Sequence, residues 1–213
     1  TAAAASKPAA PFELASRLAS LLWASVPDDA LLDAAANGML TTKEQVATQA
    51  RRLLADPRSH VPVRRFYEQW LGLGLLENAA KDGMTYPAFN ETLRAAMVEE
   101  TRHFVDNVLW KDDARLETLL TADYTFVNGA LAKHYGMPAP SNPSTFSKVA
   151  LDPEQRSGVL THASLMSAFA APAASSPIKR GKLVRVRVLC QELPDPPANV
   201  PPPPEPKAGL STR

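Results

Sequence analysis

Cysteine is almost absent from the chain: Cys190 stands alone among 213 residues. A single thiol excludes an internal disulfide and a cysteine-based zinc cluster, and leaves the redox compartment open. The residue reads as a buried small hydrophobe or as the partner of a cysteine outside this chain. Net charge is nearly absent too, at +1 with 23 basic and 22 acidic residues, so no global field draws the protein to nucleic acid or an anionic membrane. Any electrostatic function must be local. No run approaches the roughly 20 apolar residues that cross a bilayer, which predicts a soluble chain without a membrane span. The opening TAAAASKPAAP lacks the charged and apolar regions of a signal peptide, and Thr1 is not an initiator methionine, so a leader removed earlier stays open. G-x-x-x-x-G-K-[ST], G-x-G-x-x-G and G-x-S-x-G are all missing, which leaves nucleotide binding and hydrolase chemistry by those routes unsupported.

What is present is helical periodicity, supported by a 45% hydrophobic content that suffices for one sizeable core. The pattern predicts an all-α fold, an irregular helical domain of about eight helices with a proline-rich extended C-terminal tail. Residues 1–11 read as a flexible Ala/Pro linker and 12–192 as a single helical domain, with an N-terminal part at 12–60 and a main part at 61–192. Residues 193–213 read as a proline-rich tail or linker to a further module.

Leu14, Leu18, Leu21 and Leu22 mark a first helix that Pro27 stops. Asp28 and Asp29 start a second, closed by Asn37-Gly38. Thr41 or Thr42 caps a third, with Glu44 or Gln45 in capping-box position and Val46, Leu53 and Leu54 in its stripe. A fourth, at 63–71, carries Phe66, Tyr67 and Trp70. The longest helix, about 88–110, has Leu93, Met97, Phe104 and Val108 in one stripe. Helical pieces follow at 116–120, 123–135 and 158–169, with an extended piece near 146–151. Trp23, Phe66, Trp70, Leu93, Met97, Phe104, Val108 and Leu119 are the expected core. After Pro177, the alternation of Val184, Val186 and Val188 with Arg185 and Arg187 has the period of a strand.

Three groups of residues invite a chemical reading. Glu100 and His103 form one E-x-x-H pair, the spacing of di-iron bundles, but such a centre needs two, and no other histidine has a carboxylate three residues earlier. The pair therefore reads as a solvated helix face, and no metal is expected. His134 and Tyr135 close a helix, where a histidine favours the negative end of the dipole. His134 and His162 are weak candidates for a base or haem ligand, with Tyr135 beside them. The third group is Ser175 to Lys182, where Ser176 caps a helix, Pro177 occupies its first turn, and Lys179, Arg180 and Lys182 crowd positive charge into it. That arrangement predicts an anionic group or partner opposite Ser176, Lys179, Arg180 and Lys182, either a carboxylate of the same domain or something external.

The phrases FELASRLASLLWASVPDDALLDAAANGML, RFYEQWLGL, FNETLRAAMVEETRHFV, LLTADYTFVNGALAKHYGMP, RSGVLTHASLMSA and SSPIKRGKLVRVRVLCQELPDPPANVPP resemble consecutive parts of one multidomain family. It comprises the 1595/1592/1588-type domain-of-unknown-function modules of planctomycete and myxobacterial extracytoplasmic proteins, associated with c-type cytochrome segments. The likeness spans nearly all of residues 12–206, with DYTFVN, KHYG and SPIKRGK as its signatures. It implies that the SPxKRG segment opens a helix, so a helix is expected through Leu189 despite the period-two alternation.

The resemblance further implies a periplasmic or secreted location and an adjacent haem-containing module, or partner protein, that carries C-x-x-C-H. A covalent haem c needs both thiols, so none is expected in this chain itself. The function it implies is a non-catalytic helical scaffold or docking module in an electron-transfer setting. The alternative is part of an oxidative or hydrolytic, polymer-directed enzyme whose active site is shared with the neighbouring module; no nucleophile–base pair is visible here to favour it.

Overall fold

The computed structural model describes residues 10–194 and residue 199, and within them the chain is mostly helical, with ten α-helices and one two-stranded sheet. The predicted linker over residues 1–9 and the tail beyond residue 194, Asn199 apart, lie outside the described residues. The chain forms two compact units, Thr1–Tyr67 and Glu68–Arg213.

In the first unit, α1 (Pro11–Trp23) starts on a proline and ends where Ala24 turns left-handed at φ 53°. Asp28 caps α2 (Asp29–Ala36) by accepting from the Leu31 amide. Thr42 and Gln45 form the expected capping box at the head of α3 (Lys43–Ala55). Ala15, Leu18, Ala19, Trp23, Leu31, Leu40 and Leu53 make the core, while Leu21 and Leu54 are exposed rather than part of the predicted stripes. Trp23 donates its indole N–H to the Leu53 carbonyl at 2.8 Å, which satisfies its only polar atom inside the core. The Arg58 guanidinium lies 3.4 Å from the centre of the Trp23 ring, and Arg52 grips Asp28 through two bonds of 2.7 and 2.9 Å.

Helix α4 (His60–Leu71) buries Tyr67 and Leu71, four residues apart. That choice of face turns Phe66 outward, and it is 68% exposed, not core as its aromatic character predicted. Trp70 is half-buried and donates to the Arg187 carbonyl at 2.6 Å.

In the second unit α5 (Gly74–Glu77) precedes α6 (Glu91–Trp110), which starts where the Asn90 side chain accepts from the Leu93 amide at 2.9 Å. Leu93, Met97, Phe104 and Val108 are buried along it as the stripe predicted, and Leu119 is buried on α7 (Leu116–Thr121). The stretch 123–135, expected as one helix, divides. Tyr124–Val127 is a strand, β1, and α8 (Gly129–Tyr135) begins only after Asn128 caps it. β1 pairs antiparallel with β2 (Ser147–Ala150), Tyr124 opposite Ala150 and Val127 opposite Ser147. The inward residues of β1 are Thr125 and Val127, both buried.

Gly158 permits a close backbone crossing: at φ 58° its missing Cβ would stand 2.0 Å from the Leu120 carbonyl oxygen. A 3-10 turn at Val159–Thr161 leads into α9 (Ala163–Ala168). The final α10 (Pro177–Leu183) continues through Val184–Val188 as a π-type turn, with the Leu189 amide reaching back five residues to the Val184 carbonyl at 2.9 Å. Cys190, at φ 51°, ends the helix and is exposed rather than buried. No helix of the described residues is long and apolar enough to cross a membrane.

Candidate functional site

The inward face of α6 carries two polar residues in the middle of its apolar stripe. Glu100 is 1% exposed, so the reading of Glu100 as part of a solvated face is wrong; Thr101 is buried with it. Glu100 accepts from the Tyr135 hydroxyl at 2.6 Å on one carboxylate oxygen and from the Thr125 hydroxyl at 2.8 Å on the other. Tyr135 in turn accepts from the Ala163 amide at 2.9 Å, and the Arg156 guanidinium lies 4.1 Å from its ring centre. Beside them His162, 2% exposed, places Nδ1 3.1 Å from the Thr101 hydroxyl and Nε2 3.5 Å from that of Thr125. Ser164 adds a hydroxyl 2.7 Å from Thr101, and Phe104 meets the imidazole edge-on at 4.8 Å.

With Thr125 donating to Glu100, His162 offers it Nε2–H and keeps Nδ1 as acceptor for Thr101. Hydroxyls and imidazole then form one directed chain from Ser164 to the Glu100 carboxylate. Burial pushes the Glu100 carboxyl up to about 7, against the opposing pull of the Tyr135 and Thr125 hydroxyls and of Arg156. Burial, reinforced by the Arg156 charge, holds His162 down at about 3, so the imidazole is neutral. Tyr135 is pushed far up, first by burial and then by the Glu100 carboxylate, and stays a donor.

Tyr135 and His162 thus come together, on an acid that sequence reasoning placed elsewhere. His103 stays outside: it is exposed and stacks on Phe126 and Phe146 at ring distances of 5.9 and 4.8 Å. With Glu100 turned inward, the E-x-x-H pair does not converge on one point. Among the described residues no group of three or more His, Cys, Asp or Glu is arranged to hold a metal ion.

The cationic segment is built as the sequence predicted at its start, with the Ser176 hydroxyl accepting from the Lys179 amide at 3.4 Å. Among the described residues no carboxylate lies within ion-pair distance of Lys179, Arg180 or Lys182. Their polar contacts are neutral: the Lys179 ammonium donates to the Ala170 carbonyl at 3.4 Å, and an Arg180 N–H points at the Met166 sulfur at 3.3 Å.

The cations part company. Arg180 and His134 line one cavity of about 390 Å³ with Lys81, Phe89, Leu93, Met97 and Met166. Lys179 and Lys182 line a second, of about 430 Å³, with Phe169 and Arg187. The pKa of His134 is lowered, by burial first and by Arg156 second. Lys81, half-buried, donates to the Ala171 carbonyl at 3.1 Å. Its pKa is lowered by burial and then by the nearby charge of Lys179.

Two family descriptions match this chain in succession. PSD4, "Protein of unknown function (DUF1592)", matches residues 10–137, and PSCyt3, "Protein of unknown function (DUF1588)", matches residues 156–213. No curated protein and no solved structure matches. Glu100, Thr125 and Tyr135 fall in the first matched stretch, and His162, Ser164, Met166 and Arg180 in the second. The buried polar chain and the Arg180 cavity are therefore each built from both stretches, which share one core in the Glu68–Arg213 unit. With a match over more than half its length, the chain belongs to the PSD4 (DUF1592) family of proteins of unknown function.

Proposed function

We propose that the chain is a non-catalytic docking module of an extracytoplasmic, periplasmic or secreted multidomain protein, and that its C-terminal helix receives an acidic surface of an adjacent c-type haem module in an electron-transfer assembly. The observation that carries this reading is the half-apolar outer face of that helix, whose cations Lys179, Lys182 and Arg185 form no ion pair among the described residues. Ile178, Lys182, Val186 and Leu189 recur at helical spacing. Ile178 is 71% and Leu189 55% exposed. The first three line a single cavity of about 860 Å³ with Cys190, Leu193 and one acidic residue, Glu192. Lys179, Lys182 and Arg185 stand along the same segment; Arg185 donates to the neutral Gln191 side chain at 3.0 Å.

An exposed apolar stripe flanked by cations is complementary to a surface of apolar side chains and carboxylates, and the charges favour fast encounter over raw affinity. The PSCyt3 description of the segment that contains this helix, and the resemblance to cytochrome-associated proteins, support a haem-bearing neighbour.

The test pairs this chain with the haem-bearing segment of its full-length polypeptide, produced separately. Binding by calorimetry is expected, weakened at least about tenfold by joint Lys179→Glu and Lys182→Glu substitution, with the melting temperature preserved. An unchanged Kd, self-association of this chain that the same substitutions abolish, or a full-length polypeptide without a haem segment overturns the reading.

A further inference from the structure

We infer that the cavity between α6, α9 and the start of α10 is a binding site for a small amphipathic organic anion, a monocarboxylate whose hydrocarbon body rests on Leu93, Met97 and Met166 and whose carboxylate meets Arg180 and Lys81. The inference does not rest on the docking reading, since neither Arg180 nor Lys81 belongs to the docking face. Its volume of about 390 Å³ lies within the usual range of small-molecule sites, roughly 300–1,000 Å³. Its floor is not a surface depression, since Leu93 and Met97 belong to the buried core cluster. Phe89 adds an aromatic wall, and two methionines give a soft, adaptable lining.

The polar groups are equally selective. No Asp or Glu lines the cavity, while two cations do. Neither cation has a carboxylate partner among the described residues: Lys81 rests on the Ala171 carbonyl and Arg180 on the Met166 sulfur. A thioether is a weak acceptor, so the guanidinium keeps most of its five donors for something else. Lys81 is desolvated and repelled by Lys179, and an anion beside it offsets both costs by its opposite charge. His134, whose pKa is lowered by burial first and by Arg156 second, also lines the cavity and adds a hydrogen-bonding ring nitrogen.

A bare inorganic anion would leave the apolar floor wet, and a neutral hydrocarbon would leave the cations uncompensated. A carboxylate on an apolar chain satisfies both.

Octanoate, 1-octanol and acetate, titrated into the full chain carrying ¹³C-methyl methionine, separate these terms. Octanoate is expected to bind saturably and to shift the methyl resonances of Met97 and Met166 while leaving those of Met39 and Met84 unmoved. Octanol is expected to bind about tenfold more weakly, and acetate without saturation. Arg180→Gln and Lys81→Gln should each weaken octanoate about tenfold, leave octanol unchanged and preserve the melting temperature. Equal affinity for octanol and octanoate, saturable acetate binding, shifts confined to other methionines, or insensitivity to both substitutions would each overturn the assignment.

Discussion

A buried acid that ionises near neutrality makes stability depend on pH in the direction opposite to that of a paired surface carboxylate. Glu100 ionises near 4.5 when solvated and only near 7 in the folded protein. Between those values the folded state holds a proton that the unfolded chain has released, so Glu100 lowers stability progressively as pH rises from 4.5 to about 7, and the loss is constant above that. At about 1.4 kcal/mol per unit the full swing is about 3 kcal/mol.

His162 acts the other way. It is protonated below 6.5 when unfolded but only below about 3 when folded, so its contribution to stability grows as pH rises from about 3 to 6.5. Over the shared interval the two slopes oppose each other and the wild-type profile is nearly flat in these terms.

Glu100→Gln removes one slope. The amide oxygen accepts from Tyr135, and one N–H of the NH₂ donates to Thr125, whose hydroxyl hydrogen then turns to His162 Nε2, so the polar chain reverses direction; the second N–H costs the variant the same at every pH and leaves the pH dependence of the difference unchanged. Urea unfolding of both proteins, followed through NMR signals of the Glu68–Arg213 unit at acid, neutral and mildly alkaline pH, measures the difference. The gap between variant and wild type should move by about 3 kcal/mol in favour of the variant from about pH 4.5 to about pH 8. A gap constant to within about 0.5 kcal/mol would refute the argument that burial controls this carboxyl.

Four further outcomes are expected. Phe104→Ala empties the site against His162 and Tyr124 and should cost about 3–5 kcal/mol in thermal or chemical unfolding. Gly158→Ala, with its Cβ driven into the Leu120 carbonyl, should cost at least about 3 kcal/mol, whereas Gly136→Ala, equally left-handed but with open space around it, should cost only about 1 kcal/mol. Asp28→Ala removes both the α2 cap and the Arg52 pair and should cost about 2 kcal/mol; Asp28→Asn, which keeps a capping oxygen, should recover about half, as read from paired melting curves. Elemental analysis should find the same metal content in His103→Ala as in wild type, because the Glu100 side chain is committed to Tyr135 and Thr125.

The helices were legible because their signals are local. Thr42 with Gln45, Asp28 before α2 and the four-residue steps of α6 each act within a turn or two. β1 was not legible: four residues give only two alternations, and its reason to be extended is a partner strand that pairs with it across 20 to 26 residues of sequence. Glu100 was misplaced for a similar reason. Its helical neighbours Met97 and Phe104 are apolar and buried, but a carboxylate reads as solvated until its partners are known, and Tyr135 and Thr125, which satisfy it inside the core, lie 35 and 25 residues away.

The alternating valines near the C-terminus mimic a strand, and only the resemblance favoured a helix there. The structure accommodates them in a widened helical turn. The cationic cluster was legible as a segment, yet its division between two cavities was not, since Lys81, Leu93 and Met166 reach Arg180 only through tertiary packing.

The proposed docking role is tested most directly by the salt dependence of binding between this chain and the proposed haem-bearing segment, separately produced. If Lys179, Lys182 and Arg185 face carboxylates, Kd rises at least about tenfold between about 25 and about 300 mM NaCl, and the slope flattens in the Lys179→Glu, Lys182→Glu variant. A Kd indifferent to salt, or a slope that the variant leaves untouched, contradicts the proposal.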